Sequence, residues 1–217
     1  MDLVAQIKLI DARLLSAVTT AFPDPLTDEE KVAVNAYLVL AHACIEEFLE
    51  DTFLEHVQRL IDLMDRPLVP REVAGLFLAF GTIIPEKKRI PYAKRERAGV
   101  ANVALTLYKA STIDMNHGVK PAKVRTLAEG AGVSWPEFES ALAAQLADLD
   151  TLGAKRGEAG HLGPLTMKAT KLSRRDYPDN VRGWVHDARD AGLAIRTYLD
   201  DRVAGQCRCL VAFDASV

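Results

Sequence analysis

The chain holds only three cysteines in 217 residues. That is too few for a disulfide framework, and it suits a reducing compartment. Cys44 falls within an apolar helical pattern and reads as a small core residue, while Cys207 and Cys209 form a lone C-x-C. A zinc site usually needs four ligands, and no second pair stands nearby. No uninterrupted apolar run reaches the roughly 18–20 residues of a membrane span. The opening MDLVAQIKLIDARLL is broken by Asp2, Lys8, Asp11 and Arg13, so it lacks the pattern of a signal peptide. The expectation is a cytoplasmic protein without a membrane partner. Neither a P-loop nor a dinucleotide fingerprint occurs. Strand-like alternation is also missing, apart from the tail RCLVAFDASV, which reads as a strand or a loose end.

Positive charge is not in excess. Lysine and arginine number 27 against 30 acids, a net charge of −3. A polyanionic partner would therefore be met by a local patch. Two stretches qualify: 85–97, with Lys87, Lys88 and Arg89, and 168–175, with Lys168, Lys171, Arg174 and Arg175. Each also reads as an ordinary solvated surface.

What is abundant is apolar spacing of helical period. Leu3, Ile7, Ile10, Leu14 and Val18 mark a first helix. Thr27-Asp28-Glu29-Glu30 is a capping box, and the long helix behind it runs to about Asp65, before Pro67. Acids crowd the middle of this helix: Glu46, Glu47, Glu50, Asp51 and Glu55. His42 and His56, fourteen residues apart, read as helix-face residues rather than metal ligands. Shorter helices are expected over 70–84, 94–110 and from Lys120-Pro121 to about Glu129, with Gly130 and Gly132 as the stop. Ser134-Trp135-Pro136-Glu137 is a second capping box, and its helix carries Phe138, Leu142, Leu146, Leu149 and Leu152. A last long helix starts at Tyr177-Pro178-Asp179. These elements predict one all-α domain over 1–217, a bundle of long antiparallel helices with short connecting ones.

At the end of the helix bearing Leu152 stands R-x4-H, Arg156 and His161, among Gly157, Gly160 and Gly163. Residues five apart on a regular helix differ by about 140° in direction. Each glycine costs a helix about 1 kcal/mol relative to alanine. The helix is therefore expected to fray or end within RGEAGH, letting the two side chains converge. A histidine titrates near neutrality and can move protons. An arginine stays charged and its fork fits phosphate oxygens. The two suffice for RNA cleavage by the RNA's own 2′-OH without a metal. Cations are also favoured at a helix C-terminus for electrostatic reasons alone, and R-x4-H arises by chance, so spacing by itself leaves both readings open.

An ordered set of motifs adds to this: Asn116-His117-Gly118-Val119-Lys120, then Gly132-Val133, then Leu149-Asp150-Thr151-Leu152-Gly153, then Arg156-Gly157 and Gly160-His161. Together with the early acidic helix it resembles the HEPN superfamily, and within it the RiboL-PSP-HEPN branch, over roughly residues 30–200. The resemblance implies a HEPN-like bundle and a metal-independent endoribonuclease needing no cofactor. It also implies a homodimer with a composite cleft, and a toxin or phage-defence role under an antitoxin or other regulatory partner. Arg156 and His161 inherit the catalytic roles. Asp150, Glu46 and Glu158 are candidate supporting groups, and Asn116 and His117 belong to the motif without an assigned role. Gly157 and Gly160 depart from the superfamily's commoner residues at those positions. A catalytically silent HEPN module that dimerises and binds RNA or protein is the alternative, and a plain helical interaction protein is a third.

Overall fold

The computed structural model describes residues 2–63, 72, 76, 97–161 and 176–214, with side chains at all of these except 97–102, 160, 161 and 206–214. Among the described residues there are seven α-helices and no strand. They are α1 (Leu3–Leu14), α2 (Asp28–Asp62), α3 (Arg97–Tyr108), α4 (Pro121–Gly130), α5 (Trp135–Ala141), α6 (Ala143–His161) and α7 (Pro178–Asp214). The all-α expectation holds. The tail expected as a strand or loose end is helical as far as Asp214, where the described residues stop.

Local chemistry explains where the helices begin. The Asp2 carboxylate accepts from Ala5 N at 3.0 Å and caps α1. At the start of α2 the capping box forms as expected. Thr27 Oγ1 accepts from Glu30 N at 3.2 Å, and Glu30 Oε2 accepts from Thr27 N at 2.9 Å. Glu30 does more than the motif requires, because its other oxygen takes the N–H groups of Thr19 and Thr20 at 2.9 and 3.0 Å. It thereby ties the preceding loop to the helix. Pro121 opens α4, where its missing N–H costs nothing. The helix closes in a Schellman turn: Val133 N bonds Ala128 O at 2.9 Å and Gly132 N bonds Glu129 O at 3.1 Å. Gly132 takes φ +79°, so of the two glycines it is the stop, and Gly130 is still helical.

The chain folds as two compact units that interleave in sequence. The first comprises residues 1–49, 118–121 and 142–194. Its core is built from α1, the first half of α2, α6 and the first half of α7. Leu3, Ile7, Tyr37, Ala41, Ile45, Leu149, Leu152, Val181, Val185 and Ala188 are at most 1% exposed. Removal of each large aliphatic side chain from water contributes about 1.5–3 kcal/mol. Gly192 on α7 packs beside Phe48, whose ring carbon would be in ordinary contact, 3.4 Å, with a Cβ placed there. Arg182 on α7 donates Nε to both oxygens of Asp11 on α1, at 3.0 and 3.2 Å.

The second unit comprises 50–117, 122–141 and 195–217. Phe138 on α5 is its aromatic centre, stacked on Trp135 at 5.6 Å and edge-on to Tyr198 at 5.3 Å. Arg202 on α7 binds Glu72 Oε1 at 2.8 Å, Glu137 Oε2 at 3.0 Å and the Tyr198 hydroxyl at 2.9 Å. Beyond Tyr108 the helix α3 widens into a π-turn, Lys109–Ile113, closed by Asp114 N to Lys109 O at 2.9 Å.

Helix α2 departs from one sequence expectation. No uninterrupted apolar run is long enough to span, yet α2 is long and apolar enough to cross a membrane by length and composition, with an 18-residue window of mean hydropathy 1.4. The difference is that such a window tolerates two charges. The same stretch of α2 supplies the core residues Tyr37, Ala41 and Ile45, at 0% exposure.

Candidate phosphate-binding site on α6

Helix α6 carries the R-x4-H motif. Leu146, Leu149, Leu152 and Ala159 are buried along it, at 4, 0, 0 and 7% exposure. The expectation that this helix gives out within RGEAGH is not met, for α6 runs through Gly157 and Gly160 to His161. Burial of Leu152 and Ala159 outweighs a glycine penalty of about 1 kcal/mol per residue. Positions 156 and 161 therefore stand about 140° apart around the axis. Arg156 is four residues beyond Leu152 and three before Ala159, on the packed side of α6, yet its long side chain reaches solvent and is exposed. Position 161 ends the helix, and the His161 ring lies outside the described residues.

Two distant segments meet α6 in the first unit. His42 on α2 is 5% exposed. Its Nδ1 faces Glu46 Oε2 at 3.5 Å, one turn along the helix. Its Nε2 faces Gly118, 4.0 Å from where a Cβ would stand. Gly118 has φ +142°, a backbone conformation closed to other residues without strain. Burial, and then the positive charge of Arg156, hold the His42 ring down at about 4 from its ordinary 6.5, so it is neutral at physiological pH. Val119 is fully buried. Next to it Lys120 lays its side chain across α6 at Gly153: a Cβ there would meet Lys120 Cγ at 2.6 Å and Cε at 3.3 Å. Residues 118–120 thus run from the His42 ring to Gly153, one turn before Arg156.

The remaining sequence candidates divide. Glu46 is half-buried and belongs to the His42 pair, while Asp150 is exposed on α6. Glu158 is exposed and its carboxylate accepts from Lys155 Nζ at 2.8 Å, which directs it to a lysine rather than to the motif. Lys155 also stands 5.1 Å from the Trp184 ring centroid. In the second unit Asn116 is buried and donates Nδ2 to Glu50 Oε1 at 2.9 Å, whereas His117 is exposed. Lys87, Lys88, Arg89, Lys168, Lys171, Arg174 and Arg175 lie outside the described residues.

Sequence reasoning missed two residues. His42 reads as a helix-face histidine, but its spacing of three and four from Ile45 and Leu38 places it on the buried face. Lys120 has no signal of its own beyond its place in NHGVK. It becomes notable through Gly153, the one residue type that leaves space for its side chain.

Chemically, the arrangement is an open, cationic surface. Among the described residues neither Arg156 nor Lys120 has an acidic partner within ion-pair distance. The cavity lined by Lys31, Asn35, Lys155, Glu158 and Asp176 is only about 40 Å³. That admits a water or two and no nucleobase. Among the described residues no group of three or more His, Cys, Asp or Glu side chains is placed to hold a metal ion. Comparison with protein-family models, with curated proteins and with solved structures found no match for this chain.

Proposed function

We propose that this protein is a HEPN-type endoribonuclease of the cytoplasm. It cleaves RNA without a metal or cofactor, with Arg156 binding the scissile phosphate and His161 transferring protons. The RNA 2′-oxygen attacks phosphorus as its proton is taken. The P–O5′ bond breaks, the 5′-oxygen receives a proton, and a 2′,3′-cyclic phosphate remains. DNA has no 2′-OH and is not a substrate. The observation that carries this reading is Arg156, an exposed guanidinium without an acidic partner among the described residues, on the helix that ends at His161. A cation held there in reserve suits the charge that gathers on phosphorus in the transition state.

The continuity of α6 bears on assembly. With positions 156 and 161 about 140° apart, one helix offers arginine and histidine to different sides. In a two-fold homodimer the same surface is presented twice, so an arginine from one copy and a histidine from the other serve one phosphate. An antitoxin or a phage-triggered partner would restrain such an enzyme. The same separation favours a second reading, a HEPN module that binds RNA without cutting it.

Wild type, Arg156→Ala and His161→Ala are to be incubated with a structured RNA in EDTA. Wild type is expected to leave 2′,3′-cyclic phosphate ends. Loss of the histidine should slow cleavage by about 10²–10⁴-fold, and loss of the arginine by about 10²–10³-fold. RNA binding without cleavage by wild type would establish the second reading. Wild-type protein that neither binds nor cuts RNA would sink both.

A further inference from the structure

We propose that Lys120 and Arg156 form a two-cation clamp on α6 for adjacent phosphates of an RNA strand, with Gly153 as the residue that seats the lysine. The inference rests on the reading of α6 as an RNA site, and it adds a contact that R-x4-H does not contain. Lys120 comes from a segment more than thirty residues away in sequence, yet its aliphatic chain lies along α6 at Gly153. Gly153 and Arg156 are separated by three residues, a spacing that puts neighbours about 5–6 Å apart on one helix surface. Lys120 is exposed, as is Arg156, and among the described residues neither charge is neutralised by an acid.

This contrasts with the other described cations of α6 and its surroundings. Lys155 is taken by Glu158 and Asp176, Lys31 by Asp28, and Arg182 by Asp11. Among the described residues Lys120 and Arg156 remain without an acidic partner at this turn of α6, in a chain whose net charge is −3. Such a pair repels itself, and a phosphodiester between the two would relieve the repulsion. An acidic protein surface would also be attracted; the RNA strand is favoured here because α6 is read as an RNA site.

The lysine's position is set by packing rather than by charge. Val119, fully buried, anchors the backbone immediately before Lys120. Gly118, one residue earlier, stands beside the His42 ring, whose Nε2 would be 4.0 Å from a Cβ there. The Lys120 side chain that follows lies along the helix at Gly153, and a methyl group at 153 would meet its Cγ at 2.6 Å. Gly153→Ala therefore moves the ammonium without changing any charge.

The test is fluorescence anisotropy with a labelled single-stranded 2′-O-methyl RNA, which binds but cannot be cleaved through a 2′-OH, over a salt series. Lys120→Gln and Arg156→Gln are each expected to weaken binding several-fold and to reduce the slope of log K against log salt by about 0.7, one single-strand phosphate contact. Lys120→Arg should keep the wild-type slope. Gly153→Ala should reproduce the loss seen in Lys120→Gln while circular dichroism shows the helix content unchanged. Wild-type affinity and slope in Lys120→Gln would overturn the clamp even if wild type cleaves RNA. Reduced slopes with a wild type that does not cleave would leave the clamp standing and remove the nuclease reading. Should Gly153→Ala fail to fold, Lys120→Gln alone decides.

Discussion

Asn116 donates its side-chain amide to Glu50 across 2.9 Å, fastening the end of the π-turn segment to the middle of α2. This gives a purpose to one motif residue that had none. Glu50 is one of the acids whose density on α2 is conspicuous in the sequence, and it is half-buried, so a neutral donor matters. A hydrogen bond to a charged group contributes about 1.5–3 kcal/mol. Asn116→Ala should lower stability by about that amount. Asn116→Asp should cost more, because it sets two carboxylates face to face. For a chain of this size the alanine variant is expected to melt about 3–10 °C lower. An unchanged melting temperature in both variants would remove Asn116 from the fold's supports.

Stability should fall on mild acidification, and histidines account for it. His56 is 3% exposed on α2. Burial, and then the charges of Arg202 and Arg59, hold its ring at about 4 instead of 6.5. The unfolded chain therefore binds a proton at higher pH than the folded chain does. The stabilisation is complete above pH 6.5 and disappears as pH drops towards 4. For His56 alone the loss between pH 7 and 5 comes to about 2 kcal/mol. His42 acts in the same direction and the same window. Glu30 follows lower down. Burial alone would raise its carboxyl, but the donors at Thr27, Thr20 and Thr19 hold it at about 2 from 4.5, so its contribution goes as pH falls from 4.5 to 2. Denaturant titrations from about pH 8 to about 4.5 should show the decline in wild type and a shallower one in His56→Phe. Parallel curves would mean that His56 is hydrated in the folded state.

Much of this architecture is legible in the residues. A Thr-x-x-Glu start, the Gly132 stop and the Pro121 and Pro178 openings are local signals, and local hydrogen bonding obeys them. What escapes is set by packing. The glycines at 157 and 160 suggest a break that burial of Leu152 and Ala159 overrides. The tail that looks strand-like continues α7 as helix to Asp214. The helix expected to begin at Ser134-Trp135 and run unbroken is divided at Leu142 into α5 and α6. The site behaves likewise. Arg156 is visible as a motif residue, but the space that Gly153 leaves for Lys120 is a long-range fact with no local pattern.

Gly132 illustrates a glycine whose replacement is costly. Its φ is +79°, and a Cβ would stand 2.2 Å from the Glu72 carbonyl oxygen and 2.8 Å from Leu76 N. Both are backbone atoms, so no side chain can rotate away. Left-handed strain alone costs about 1–3 kcal/mol, and displacing the backbone at Glu72 and Leu76 adds to it. Gly132→Ala should lower stability by about 2 kcal/mol or more, read from the denaturation midpoint. Its effect should be confined to stability, with RNA affinity of the folded fraction unchanged. A midpoint within error of wild type would contradict the close approach.

Gly157 is the opposite case, and it separates two ideas about how the motif works. It lies within α6, and a Cβ there would meet nothing within 4 Å. Alanine should therefore stabilise the helix by about 0.5–1 kcal/mol, through propensity and a less disordered unfolded chain. The melting temperature should rise by roughly 1–4 °C. If the working site is the continuous helix, with arginine and histidine supplied by two copies, Gly157→Ala keeps its cleavage rate. If the site works only when the segment opens so that both side chains of one copy converge, the same substitution raises stability and slows cleavage together. The continuity of α6 leads us to expect the first outcome. A stabilised protein that cuts RNA tenfold more slowly would show instead that the glycine is there to let the helix come apart.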